Sequence, residues 1–270
     1  MGFGSTEITK AALEQLATTK PKRVCFGTTH TNALKKSPSG PKVGYFNLPF
    51  SETFDELLPW ALTSGKYGFF VSADTAARFN QIQGWIDQHR EMVFIKSLLN
   101  SAVALSFQYS EEGRTPIGEL EYQAKYCGNK DATSKLSEIA IACFASLFQN
   151  RNINGIISVP PTDPDKNGLP QLVAKAISNH FEIENFTSRI SWSTKKPSIK
   201  SASLSEKWDI LSSIGITIDT DISKRNIMII DDMYQSGTTV HYVASRLRAS
   251  DACDIHCLSL SKSLSDKDNQ

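Results

Sequence analysis

The sequence predicts an α/β protein built on a doubly wound, mostly parallel sheet with an added N-terminal α+β region. Two observations predict it. Apolar runs such as "INGIISVPP" (Ile153–Pro161) and "NIMII" (Asn226–Ile230) alternate with amphipathic helical stretches, and strand–helix–strand order builds doubly wound sheets. The runs are also unbroken by polar residues, as strands of a parallel sheet covered on both faces require. With 270 residues, the chain has length for one large domain or a core with an extension.

The first 112 residues read as an extension or cap of mixed character. "RVCFGTT" and "KVGYFNL" are predicted strands, separated by the Lys-, Ser- and Pro-rich loop "NALKKSPSGPK". "FDELLPWALTSG" is predicted helical and "YGFFVS" a strand. A long helix should follow, because Phe79, Ile82, Trp85, Ile86, Val93 and Phe94 recur at helical spacing.

Residues 113–263 form the predicted core domain, and 264–270 a polar tail. "KLSEIAIACFASLF" and "LPQLVAKAISNHF" are helical in pattern, while "NFTSRISW" has strand character. "LSEKWDILSSIG" starts with Ser203 and Glu206 at capping-box spacing and should end near Gly215. In "TTVHYVASRLRAS", Val240, Val243, Ala244 and Leu247 share one helical stripe. "DIHCLSL" closes the domain as a strand.

Composition narrows the function classes. A net charge of +1 gives no global reason to expect nucleic acid or an anionic membrane. No apolar run is long enough to span a bilayer, and the first twenty residues lack the apolar core of a secretory signal. Five scattered cysteines, an odd number, argue for reduced thiols and a cytoplasmic setting. Cys253, His256 and Cys257 in "CDIHC" invite a zinc reading, but alternate residues of a strand face opposite sides. A tetrahedral site would still need further ligands.

The most informative stretch is "IMIIDDMYQSGTT" (Ile227–Thr239). An apolar strand delivers Asp231 and Asp232 to the carboxyl edge of the sheet, where open α/β folds bind ligands. The turn Met233–Gly237 then leads into a helix that begins with Thr238 and Thr239. Helix-start amides with nearby hydroxyls suit a phosphate, and Gly237 permits close approach or positive φ. Carboxylates would repel that phosphate unless they accept hydrogen bonds from sugar hydroxyls or face magnesium held by further phosphates. The arrangement describes a 5-phosphorylated ribose. A Walker B reading lacks its GxxxxGK[ST] partner, and a receiver domain places its acids elsewhere. A solvated Asp-Asp turn capping a helix is the plain alternative.

This string resembles the phosphoribosyl pyrophosphate (PRPP) loop of the type I phosphoribosyltransferases. The resemblance implies that Asp231 and Asp232 bind the ribose hydroxyls, and reach magnesium through water if at all. Gln235, Ser236, Gly237, Thr238 and Thr239 would line the 5-phosphate. Purine-salvage members carry an aspartate base where Gln235 stands, and glutamine cannot take that proton. Upstream, "ELEYQAKYCGNKDATSKLSEIA", "ISVPPTDPDKNGLPQLVAKAIS" and "KKPSIKSASLSEKWDIL" are similar to the ComF-like branch. By that resemblance Val159, Pro160, Pro161 and Thr162, with Lys125, would hold pyrophosphate. Lys195, Lys196 and Lys200 would sit on a mobile loop that closes over the leaving group. Two departures stand out. The N-terminus has only Cys25 where ComF-like proteins carry paired zinc-binding cysteines, and Asp163 and Asp165 occupy a normally basic loop.

The reaction so implied displaces pyrophosphate from ribose C1 by a nitrogenous base, with magnesium assisting. PRPP and a base would be the partners, with a homodimer or partner protein open. A non-catalytic PRPP or nucleotide sensor, or a nucleotide hydrolase or phosphorylase, would use the same pocket.

Overall fold

The computed structural model describes residues 7–27, 34–36, 44–66, 68–162, 168–197, 199 and 201–264. Helix α1 (Lys10–Thr18) is capped by the Thr9 hydroxyl, which accepts from the Ala12 amide. Strand β1 (Arg23–Val24) follows at the edge of a central sheet. The chain then leaves that sheet to build a second, antiparallel one. Its strands are β2 (Leu34–Lys36), β3 (Gly44–Leu48), β4 (Thr63–Gly65) and β5 (Gly68–Ala73), in the order β2-β3-β5-β4. Burial alternates along β3, so Phe46 and Leu48 enter the core while Tyr45 and Asn47 face outward.

Two short expectations fail in this region. Only Phe54–Leu57 of "FDELLPWALTSG" is helical (α2), because Leu58 precedes Pro59 and adopts ψ 139°. A residue before proline is driven out of the helical region. The loop "NALKKSPSGPK" contains β2, and its remaining residues lie outside those described.

Helix α3 (Ala76–Gln88) buries Ile82 and Ile86 but stops at His89. Val93 and Phe94, expected on this helix, belong instead to strand β6 (Val93–Ile95). A β-branched and aromatic triplet suits a strand. Strand β7 (Ser101–Phe107), which the sequence pattern did not single out, runs antiparallel to β6. The hairpin β8 (Tyr109–Ser110) and β9 (Gly113–Arg114) leads to helix α4 (Pro116–Tyr126).

From here the expected alternation holds. Helix α5 (Lys130–Leu147) precedes strand β10 (Gly155–Ser158), and α6 (Leu169–Phe181) follows it. Of "NFTSRISW" only β11 (Ile190–Trp192) is a strand, entered through a 3-10 turn. Helix α7 (Leu204–Ile214) carries both arms of the capping box between Ser203 and Glu206 and ends at Gly215. Strand β12 (Ile216–Ile218) pairs with β11. Strand β13 (Ile227–Tyr234), helix α8 (Thr238–Ala249) and strand β14 (Ile255–Lys262) complete the core.

The central sheet has the order β1-β6-β7-β14-β13-β10. Strands β7, β14, β13 and β10 are mutually parallel, and β6 and β1 add an antiparallel edge. Both faces are covered. Met228 and Ile230 of β13 join a core with Leu136, Phe144 and Val173. Ile227 and Ile229 join one with Val240, Val243 and Leu247. The sheet runs across the boundary expected between residues 112 and 113, since β1, β6 and β7 all precede it. His256 lies inside β14, with Nδ1 2.7 Å from the Ser101 hydroxyl.

Candidate functional site

Strand β13 outruns its neighbour. Its pairing with β10 stops at Ile230, while pairing with β14 continues to Tyr234. Asp231 and Asp232 therefore sit within the strand, beyond the end of β10, and the turn is shorter than Met233–Gly237. The acids thus reach the carboxyl edge on a held backbone.

The two carboxylates have different surroundings. Asp231 is buried, and its Oδ1 accepts from the Asp232 amide at 3.0 Å. Burial, then the neighbouring Asp232 carboxylate, pushes Asp231 well above the ordinary carboxylate range. Asp232 retains 39% side-chain exposure, and its Oδ2 lies 2.7 Å from Lys125 Nζ. Its Oδ1 accepts from the Met233 amide at 2.8 Å. Burial opposes ionisation there too, but Lys125 and these hydrogen bonds outweigh it and lower the pKa. The pair thus holds one ionised acid beside one biased toward its protonated form.

Lys125, expected at pyrophosphate, commits its ammonium to two carboxylates. It pairs with Glu121 one turn earlier on α4 as well as with Asp232. Burial disfavours its charge, yet Asp232 and Glu121 together raise its pKa. The other oxygen of Glu121 accepts from the Ser261 hydroxyl at 2.6 Å. Neither Glu121 nor Ser261 was legible as a site residue in the sequence.

The turn that follows places Gly237 at φ 74°, as the N-cap of α8. A Cβ there would lie 2.2 Å from the Tyr234 hydroxyl, so glycine is required on two grounds. Ser236 and Thr238 share a hydroxyl hydrogen bond of 2.8 Å. Among the described residues, no hydrogen bond engages the amides of Gln235, Ser236, Gly237 or Thr239. Orphan amides at a helix start are the donors an oxyanion needs. His241, which the sequence did not flag, braces this turn from beneath. Its Nε2 accepts from the Leu98 amide at 3.2 Å, so Nδ1 carries the proton and donates to the Gly237 carbonyl at 2.8 Å. Burial lowers its pKa to about 4.

The loop after β10 departs from the expected role. The Val159 amide donates to the Ile230 carbonyl, and Pro160 and Pro161 have no N–H. Residues 159–161 therefore have no backbone donor for pyrophosphate, and among the described residues no hydrogen bond engages the amide of exposed Thr162. The Val159 carbonyl accepts from Gln171, and the Pro160 carbonyl from the Trp192 indole at 2.9 Å. Trp192 thereby ties the start of the lysine loop to this segment, and it stacks on Tyr242. Lys196 lies 4.7 Å over the Trp192 ring. Burial lowers its pKa, with Asp231 and Asp232 pulling it back up. Lys195 is exposed, and Lys200, Asp163 and Asp165 lie outside the described residues.

Paired acids and an open helix start thus stand at the carboxyl edge of the parallel sheet of an α/β protein, where such folds generally bind ligands. Within it, residues 164–270 match the family model of the phosphoribosyl transferase domain. That segment contains the acid pair and the turn. No curated protein sequence matches the chain. Among solved structures, a hypoxanthine-guanine phosphoribosyltransferase from Bacillus anthracis is 16% identical over 48% of this chain and 68% of its own, with TM-score 0.33. A hypoxanthine phosphoribosyltransferase from Staphylococcus aureus is 10% identical over 48% and 64%, with TM-score 0.34. A hypoxanthine-guanine-xanthine phosphoribosyltransferase is 12% identical over 50% and 64%, with TM-score 0.29. The chain thus spans about two thirds of the length of these proteins. Among the described residues, no helix is long and apolar enough to cross a membrane.

Proposed function

We propose that the protein is a phosphoribosyltransferase of the ComF-like branch. It binds PRPP in the cytoplasm and transfers phosphoribosyl to or from a nitrogenous base, with pyrophosphate as the leaving group. One observation carries this reading: the acid pair stands one short turn from the amides of Gln235, Ser236, Gly237 and Thr239, unengaged among the described residues, at the carboxyl edge of the sheet. Asp232, ionised and partly exposed, accepts from one ribose hydroxyl, and Asp231 serves the other. The turn holds the 5-phosphate through backbone donors and the hydroxyls of Ser236, Thr238 and Thr239. Catalysis then rests on positioning and on electrostatic support of the leaving group. Lys196 is the described loop cation nearest in influence to the acids, and Lys195 and Lys200 join it when the loop closes.

Magnesium fits as a cation carried by the substrate. The described residues contain no group of three or more His, Cys, Asp or Glu side chains that could hold a metal ion. Magnesium keeps several waters and takes substrate phosphates as ligands, so Asp231 and Asp232 would meet it through water. When bound, it neutralises pyrophosphate charge.

A second reading, a non-catalytic PRPP or nucleotide sensor, is favoured by the missing donors at residues 159–161. A pyrophosphate-release assay with PRPP, magnesium and a panel of nucleobases decides between them. Release with any base supports the enzyme. Calorimetric binding of PRPP without release from the whole panel supports the sensor.

A further inference from the structure

We propose that Glu121 is a positioning residue for the ribose-binding acids, acting through Lys125. The inference rests on the reading of Asp231 and Asp232 as the diol site. Glu121 is only 1% exposed, yet it lies on α4, outside the segment that carries the acid pair. Both of its oxygens are engaged, one by Lys125 and one by the Ser261 hydroxyl. Lys125 in turn donates to Asp232 Oδ2 at 2.7 Å. Ser261 belongs to β14, opposite Met233 of β13. The four residues therefore link α4, β14 and β13 around one carboxylate.

A buried carboxylate is costly unless paired, and an apolar residue of similar size often serves stability as well. Stability alone is a weak reason for Glu121. A lysine also has a flexible four-carbon stem, so Lys125 alone would hold Asp232 loosely. Anchored by Glu121, its ammonium becomes a fixed point. Asp232 is then oriented from both sides, by Lys125 on Oδ2 and by the Met233 amide on Oδ1. Binding groups held in advance by supporting hydrogen bonds lose less freedom when ligand arrives.

The test titrates wild type, Glu121→Gln, Ser261→Ala and Asp232→Asn with ribose-5-phosphate and, separately, with inorganic phosphate. Inorganic phosphate reads the turn alone. Glu121→Gln should weaken ribose-5-phosphate about tenfold, the scale of one charge-assisted hydrogen bond, and leave phosphate affinity unchanged. Ser261→Ala should act in the same direction but less, and it stands in if Glu121→Gln does not fold. Loss of both ligands together would mark a merely structural role and overturn the inference. Unchanged ribose-5-phosphate affinity in Glu121→Gln, or in Ser261→Ala where it stands in, would overturn it too, while a loss in Asp232→Asn kept the diol reading. If Asp232→Asn itself has no effect, the diol reading falls and this inference falls with it.

Discussion

A side chain at position 237 would occupy space already held by Tyr234, whose ring and hydroxyl lie 2.2 to 2.8 Å from the place of a Cβ. Gly237→Val adds that clash to a φ of 74°, where non-glycine residues cost on the order of 1–3 kcal/mol. Ribose-5-phosphate affinity should fall at least about tenfold, and more than in Thr239→Ala, which only removes a hydroxyl. Equal binding by wild type and Gly237→Val would place the phosphate elsewhere. His241 gives a pH prediction at the same turn. Its folded pKa of about 4 lies below the ordinary value of 6.5. Its contribution is therefore full above pH 6.5 and is lost as pH falls toward 4, by at most about 1.4 kcal/mol per unit. Asp231, with a raised pKa, works in the opposite direction, so the measurement is a difference. Thermal unfolding of His241→Asn should depend less on pH between 6.5 and 4 than wild type; parallel curves would contradict this. Asp231, Asp232 and Gly237 were legible in the sequence because strand, turn and helix start are local. Glu121, Ser261 and His241 were not, because Glu121 and Ser261 meet across 140 positions and His241 and Ser97 across 144.

At the scale of elements, the helices of the second half were read well because caps and stripes are local signals. The Ser203–Glu206 box and the stripe on α8 are examples. Strand ends were less legible. Polar Asp231 and Asp232 mark the end of an apolar run in the sequence, but β14 continues beside them and the backbone pairing decides. Val93 and Phe94 matched the helical period by coincidence, and β7 was missed because a short apolar run carries no distinguishing period. The segment from Trp192 to Ser203 carries a functional prediction. Replacing Lys195, Lys196 and Lys200 with alanine should slow pyrophosphate release about a hundredfold, the scale of losing an electrostatic donor. Ribose-5-phosphate binding should fall far less, because Lys195 is exposed and Lys196 lies over the Trp192 ring rather than at the turn. Turnover unaffected by the triple substitution would show that this loop does not assist departure.

The whole molecule joins what the sequence divides. Composition and irregular pattern set residues 1–112 apart, yet β7 from that region pairs directly with β14 of the other. Which strands pair across a chain is a tertiary outcome that periodicity does not encode. A chain starting at residue 113 would lose Val103 and Leu105 from one core and Ala102 and Ala104 from the other. It would also expose the edge of β14, an open template for aggregation. Such a fragment should be insoluble or lack a cooperative thermal transition. Cooperative unfolding with a native-like near-UV spectrum would show instead that the core stands alone.

The central claim is that the acids at the end of β13 hold the ribose of PRPP. Calorimetric titration of PRPP with magnesium into wild type and the Asp231→Asn, Asp232→Asn double variant tests it most directly. Hydrogen bonds to charged groups contribute about 1.5–3 kcal/mol each, so binding should become undetectable in a double variant whose circular dichroism and unfolding remain native. A folded double variant that binds PRPP as tightly as wild type would contradict the claim.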